Sequence, residues 1–459
     1  MTGSAPRGDY SATTQQLFVI IAFEGPDRSS QAGGLGVRIT GLADTLADQG
    51  HEVHLFFIGD PSLPGEERRG SLVLHRWAQW ISANCAGGVY DCEDYKRGDL
   101  NASLPPYVVD RILVPAIQAG RSPIVLSEEW QTAECASLIA DRLTGFGVRD
   151  RVVMAWNANN SYSFDRIDWP RLGETNLVTT VSRYMRSIIR SSGVDAIVVP
   201  NGIPDRLTEP VNRSDVRQAR AGFQDTPFFF KMARWGDDKG WSQALTAVRI
   251  LRERGDRTFL VARSGGPAGV CGALEGRAAA CGLKVRAVDT AAELKQGVVT
   301  DGVDVISLHF GVTEDLARVL FAAADGVLAN SVSEPFGLVG LEAMAAGGLL
   351  YTGGTGEDYA VSGRNAVVLE TLQPTEIVHH ARGFASAPEK ATRIRRAARE
   401  SARGFSWKLA TDRLFKVLEE QGRRQGIVLN LSSSAVVERE QPRTAQAPLP
   451  SVPVCSYQA

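Results

Sequence analysis

The 459-residue chain has no apolar run approaching the roughly 20 residues that span a bilayer, and its first sixteen residues are too polar for the core of a signal peptide. We therefore expect a cytoplasmic protein without a transmembrane segment. Cysteine is sparse. Cys85, Cys92, Cys135, Cys271, Cys281 and Cys455 contain no Cys-x-x-Cys pair, so neither a disulfide framework nor a zinc site is expected. Net charge is nearly absent, because 50 Lys and Arg stand against 52 Asp and Glu, and that balance makes no demand for nucleic acid. Histidine is scarce too: the chain has six, and none lies between 76 and 308. Nor is there an Asp-x-Asp triplet of the kind that holds a diphosphate through a divalent ion, so no metal site is expected.

What is present suits an ordinary globular protein, with 44% hydrophobic and 22% charged residues over a length that favours two domains. "LFVIIAF" (17–23) and "VHLFFI" (53–58) are apolar runs of strand length. Between them Ile39, Leu42, Ala43, Leu46 and Ala47 recur at helical spacing before Gly50, which completes a βαβ unit. Further runs at 124–126, 152–156, 177–181 and 196–199 predict one α/β domain over 17–200. After the Pro- and Gly-rich "PNGIPDRLTEP" (200–210), the runs "FFFKMA", "TFLVA", "KVRAV", "VDVISL" and "GVLAN" predict a second over 201–405. Trp407, Ala410, Leu414, Val417 and Leu418 form one helical stripe within 406–426, and the Ser-, Pro-, Gln- and Ala-rich segment 427–459 predicts a disordered tail. The fold class is α/β, two doubly wound domains in tandem.

Three stretches could carry chemistry. "QAGGLGVRITGLADTL" (31–46) opens the first helix and offers small residues and free amides to an anion or a sugar. Gly34-Leu35-Gly36 begins a dinucleotide fingerprint, but Ile39 occupies the place of its third glycine, which argues against a nicotinamide-dependent oxidoreductase. In "KMARWGDDKGWSQAL" (231–245), Arg234 and Lys239 bracket an acidic turn at a strand end, a planar fork and a point charge suited to a diphosphate. "ANSVSEPFGLVGLEAMAAGG" (329–348) reads as strand, loop and a helix stopped by Gly347 and Gly348, with Glu334 on the loop and Glu342 in the first turns of the helix. Amides of Phe336, Gly337 and Leu338 could hold phosphate, and the two carboxylates could accept from the paired hydroxyls of a ribose and a hexose. The basic run "RIRRAARESAR" (393–403) reads as a solvated helix face.

"SEPFGLVGLEAMAAGG" resembles the glutamate, seven residues, glutamate signature of retaining glycosyltransferases of the GT-B fold, particularly glycosyltransferase family 4. "GGLG" is similar to the glycine-rich loop of glycogen and starch synthases, "LSEEWQTAE" (126–134) to their Asp-Trp-His region, and Arg234 with Lys239 to the family's Arg-x4-Lys positions. Resemblance extends over roughly residues 17 to 425, including "TVSRYM", "VVPNGI" and "GGTGEDYAVSGRNAVVLET". It implies two Rossmann-like domains facing a central cleft, with the helix from Trp407 crossing back to the first. It also implies that Glu342 holds the ribose of a nucleoside-diphosphate sugar, Glu334 the transferred hexose, and Arg234 and Lys239 the diphosphate, with Gly34 beside it across the cleft. No cofactor is implied. Where many relatives carry a histidine, "AWNANNSYSF" has Asn157, which can still donate a hydrogen bond to the donor sugar. The base and the sugar stay open, with UDP among the candidate carriers. The loops 79–100 and 157–169 are polar and aromatic enough for a glycan or small-molecule acceptor. Should Asn157 mark lost catalysis, the alternative is a nonenzymatic sensor of sugar nucleotides.

Overall fold

The computed structural model describes residues 15–85, 87–265, 270–298 and 301–431. Its first half is built on β1 (Leu17–Ile21), β2 (Glu52–Ile58), β3 (Glu66–Arg69), β4 (Leu72–Trp77), β5 (Ile124–Glu128), β6 (Val153–Ala158), β7 (Leu177–Thr180) and β8 (Ile197–Val198). They form one sheet in the order β3-β4-β2-β1-β5-β6-β7-β8, parallel except where β3 pairs with β4. Every residue of β1, β5 and β6 is buried, the mark of strands covered by helices on both faces.

The second half holds β9 (Phe228–Arg234), β10 (Phe259–Gly265), β11 (Val285–Val288), β12 (Val305–Leu308), β13 (Gly326–Ala329), β14 (Leu350–Thr352) and β15 (Val367–Val368). The order β11-β12-β10-β9-β13-β14-β15 places the central strand β9 beside β13, so that the loops leaving these two strands emerge as neighbours. In an open parallel sheet this crevice at the carboxyl ends of the strands is where ligands bind.

The helix Trp407–Arg424 returns to the first half, where Trp407, Ala410, Leu414, Phe415 and Leu418 pack with Phe18, Ile20, Ile39 and Leu42 in one core. Trp407 fits because Gly41 and Gly202 leave room: a Cβ on Gly41 would come within 2.2 Å of its Nε1, and one on Gly202 within 2.6 Å of its Cα. Two expectations are corrected here. The packed chain continues past 427, since Ile427, Leu429 and Leu431 are buried in that same core; the rest of the expected tail lies outside the described residues. Arg395 also departs from a solvated face, because its guanidinium donates to the carbonyls of Ala322, Ala324 and Gly347.

Candidate functional site

The loops that follow the strands of the two sheets meet. Arg183 N donates to Asp358 Oδ2 at 2.8 Å, the hydroxyls of Tyr184 and Ser333 are 2.9 Å apart, and a Cβ at Gly34 would lie 3.5 Å from Leu338 Cδ1. Apolar side chains from both halves, Trp156, Met185 and Ile189 with Phe336, Leu341 and Met344, form one cluster beneath this junction.

On the second half, Arg234 ends β9 with its side chain 63% exposed and its guanidinium 2.7 Å from Asp238 Oδ2. Lys239 closes the 3-10 turn Asp237–Lys239, and its ammonium lies 2.7 Å from Glu334 Oε2 and 3.4 Å from Asp238 Oδ2. The fold therefore brings Lys239 and Glu334 into contact at the rim. The loop bearing Glu334 is fastened from outside, with Glu334 N donating to Thr355 Oγ1 and Gly356 N to the Glu334 carbonyl, both at 2.8 Å. Glu357, buried, anchors that second loop by accepting from Thr352 Oγ1 at 2.7 Å and Thr355 N at 2.8 Å. Sequence reasoning noticed "GGTGEDY" and missed that Thr355 holds Glu334 and that Glu357 anchors Thr355.

Gly337 starts the helix Leu338–Ala345 with φ 79°, the left-handed region that favours glycine, and a Cβ there would sit 2.9 Å from the Tyr359 hydroxyl, which donates to the Gly337 carbonyl. Phe336 turns inward, its ring 5.5 Å from that of Tyr359 and 6.4 Å from that of Phe405. Leu338 packs partly buried against the junction cluster. Glu342 lies in the first turns of the helix, partly exposed, and its carboxylate makes no hydrogen bond or ion pair among the described residues. Burial, with the Glu314 charge second, pushes this carboxyl up to about 7.

The first half departs from expectation. The amides of Ala32, Gly33 and Gly36 are not free but donate to Glu24 Oε2 at 3.0, 3.2 and 3.0 Å, so an internal carboxylate sits at the start of the helix Gly34–Asp48. Tyr90 holds the other oxygen of Glu24 at 2.6 Å. Asn157 is 4% exposed and committed on both sides: Nδ2 donates to Glu128 Oε2 at 2.9 Å, and Oδ1 accepts from Thr179 Oγ1 at 2.9 Å. Glu128 is gripped by the Arg38 fork, whose Nε and Nη2 lie 3.1 and 3.0 Å from its two oxygens. In this structure Asn157 thus belongs to a buried network, with one amide proton spent on Glu128 and its oxygen on Thr179.

Beside that network is a candidate the sequence reading passed over. Glu129 has φ 70° and ψ 164°, outside the common regions for a side-chain-bearing residue. Its oxygens accept from Asn159 N at 2.6 Å and Asn160 Nδ2 at 2.9 Å, and burial above all, with the Glu128 charge adding, pushes its carboxyl up to about 8. The signal was a Glu-Glu pair closing the apolar strand β5. No disulfide was expected, yet Cys85 and Cys92 are joined, with their Cα atoms 6.1 Å apart. The one group of metal-type donors among the described residues, Cys85, Asp91 and Cys92, thus has its two sulfurs bonded to each other.

Two parallel Rossmann-like sheets meeting across their loops, with the last helix packed on the first sheet's core, define the GT-B fold. Residues 212–401 match the family described as "Glycosyl transferases group 1". Over 175 residues the chain is 31% identical to "Uncharacterized glycosyltransferase YqgM" of Bacillus subtilis, a match that takes in 38% of this chain and spans 43% of that relative. It is 28% identical over 406 residues to a "D-inositol 3-phosphate glycosyltransferase" of Streptomyces scabiei, covering 83% of this chain and 84% of the relative. Among solved structures, a sucrose-phosphate synthase from Thermosynechococcus elongatus superimposes with a TM-score of 0.63 at 16% identity, covering 89% of this chain and 100% of that one, a likeness of fold. The domain match and the fold together support a GT-B glycosyltransferase. No helix among the described residues is long and apolar enough to cross a membrane.

Proposed function

We propose that the protein is a retaining, metal-independent hexosyltransferase of family 4 that moves a sugar from a nucleoside diphosphate to a hydroxyl acceptor. The observation that carries this reading is the contact between Lys239 and Glu334 at the rim, with Arg234 on the same turn and the uncommitted Glu342 on the helix behind. Arg234 and Lys239 supply the positive charge that a leaving diphosphate requires, in place of a divalent ion. When donor binds, the diphosphate takes over Lys239, and the released Glu334 accepts from hexose hydroxyls. Glu342 accepts from the ribose diol. In the transfer the bond from the anomeric carbon to the phosphate oxygen breaks, the acceptor oxygen bonds to that carbon on the same face, and its proton passes to the departing phosphate oxygen. The anomeric configuration is kept.

The relative named for D-inositol 3-phosphate makes small polyols and their phosphates the first acceptors to try. Trp80 and Tyr162, 67% and 73% exposed on the loops expected to hold the acceptor, offer ring faces for a sugar. The test is transfer from UDP-, GDP- and ADP-hexoses in EDTA, with the first-formed product read by proton NMR. Arg234→Ala and Lys239→Ala should each lower turnover by roughly a hundredfold or more. An inverted product, or transfer that requires added magnesium or manganese, overturns the mechanism, and binding without transfer or donor hydrolysis favours the sensor.

A further inference from the structure

Lys231 lies in the middle of β9, three residues before Arg234, and only 1% of it is exposed. Nothing in an apolar strand calls for an ammonium there, and burying one is costly unless its protons are well placed. All three directions are taken. Nζ donates to the Leu328 carbonyl at 3.1 Å and to Asn330 Oδ1 at 2.7 Å, and it sits 5.1 Å from the centre of the Trp241 ring.

Each partner leads to a rim residue. The indole Nε1 of Trp241 donates to the Arg234 carbonyl at 3.0 Å, fixing the end of β9. Asn330 Nδ2 donates to the Gly240 carbonyl at 3.0 Å, next to Lys239. Asn330 also begins the loop that carries Glu334, and that loop is tied again to the Arg234–Lys239 turn by Val332 N donating to the Asp238 carbonyl at 2.8 Å. The approach is close enough to require glycine at 240, where φ is 65° and a Cβ would come within 2.5 Å of Asn330 Nδ2 and 2.1 Å of its carbonyl oxygen.

We infer that Lys231 is a positioning residue for the diphosphate site: through Trp241 and Asn330 it sets the spacing of Arg234, Lys239 and Glu334 without touching the ligand. This rests on the donor reading given above. The residue is kept at a cost, since burial first and the Lys239 charge second push its ammonium down to about 7, against the pull of Glu334 and Asp238. A group retained only for packing would be better served by an apolar side chain of similar volume.

The inference is tested with Lys231→Met, Asn330→Leu and the double variant, each titrated by calorimetry with UDP, GDP and ADP and with the matching monophosphates, alongside a melting curve. Lys231→Met is expected to melt at or above the wild-type temperature, to bind the preferred diphosphate about tenfold or more weakly, and to bind the monophosphate nearly as wild type does. Because the two residues act as one unit, the double variant should lose little more than either single one. Equal diphosphate affinity in Lys231→Met and wild type overturns the inference alone. So does a loss shared equally by diphosphate and monophosphate together with a lower melting temperature, which makes Lys231 a core residue only. A wild type that binds none of the three diphosphates overturns the donor reading and this inference with it.

Discussion

Replacing Glu342 with glutamine separates what this residue costs the fold from what it does for a ligand. A carboxyl raised from 4.5 to about 7 holds its proton more tightly in the folded chain than in the unfolded one. Folding is then unpenalised below pH 4.5, is increasingly penalised as pH climbs to about 7, and above that carries a constant cost of at most ~3 kcal/mol. Glutamine has nearly the same shape and no such titration. Glu342→Gln should therefore match the wild type near pH 4.5 and melt several degrees higher at pH 8, the difference opening between those limits. Binding should move the other way. Loss of a charged acceptor for the ribose diol is worth about 1.5–3 kcal/mol, or roughly 10- to 100-fold in nucleoside-diphosphate affinity. Melting curves across pH and calorimetry at pH 8 measure the two effects on the same samples. A variant no more stable than wild type at pH 8 would refute the burial argument, and unchanged nucleotide affinity would refute the ribose assignment.

Two further perturbations probe the first half. Asn157→Ala deprives Glu128 of one buried donor and Thr179 of the nearer of its two acceptors, so urea unfolding should show a loss of about 2 kcal/mol; an unchanged midpoint with slowed transfer would instead return Asn157 to the donor sugar. Cys85→Ser opens the ring that ends at Cys92, and in non-reducing buffer it should cost about 2 kcal/mol that disappears when dithiothreitol is added to both proteins; two titratable thiols at these positions in the native chain would count against the bond.

The strands were legible where burial on both faces leaves a continuous apolar run, as in β1 and β12. β4 was missed because His75 and Arg76 interrupt "LVLHRW", and Arg76 is tolerated there through Asp27 and Glu67, whose oxygens lie 2.8 Å from its Nε and 2.6 Å from its Nη2. The helix Glu93–Val108 was hidden by Pro105 and Pro106 within it. At the site, Arg234, Lys239, Glu334 and Gly337 could be read because short spacing in a strand-loop-helix context fixes their place. Partners distant in sequence could not. Nothing local announces that Glu24 will cap amides eight to twelve residues ahead, or that Asn157 will be spent on residues 22 and 29 positions away. Composition misled at 427–431, where Ile427, Leu429 and Leu431 alternate in a segment otherwise rich in serine and proline.

That the last helix and residues 427–431 complete the first half's core has a consequence for biosynthesis. When the ribosome has finished β8, the face of the first sheet that Trp407, Leu414, Phe415 and Leu418 will cover is still bare, and the whole second half must be translated before they emerge. At 5–20 residues per second that interval is on the order of ten to fifty seconds. Through it the nascent first half carries an unsealed apolar surface, an opening for chaperones and for aggregation alike, while the second half, whose own strands and helices are contiguous in the chain, can fold first.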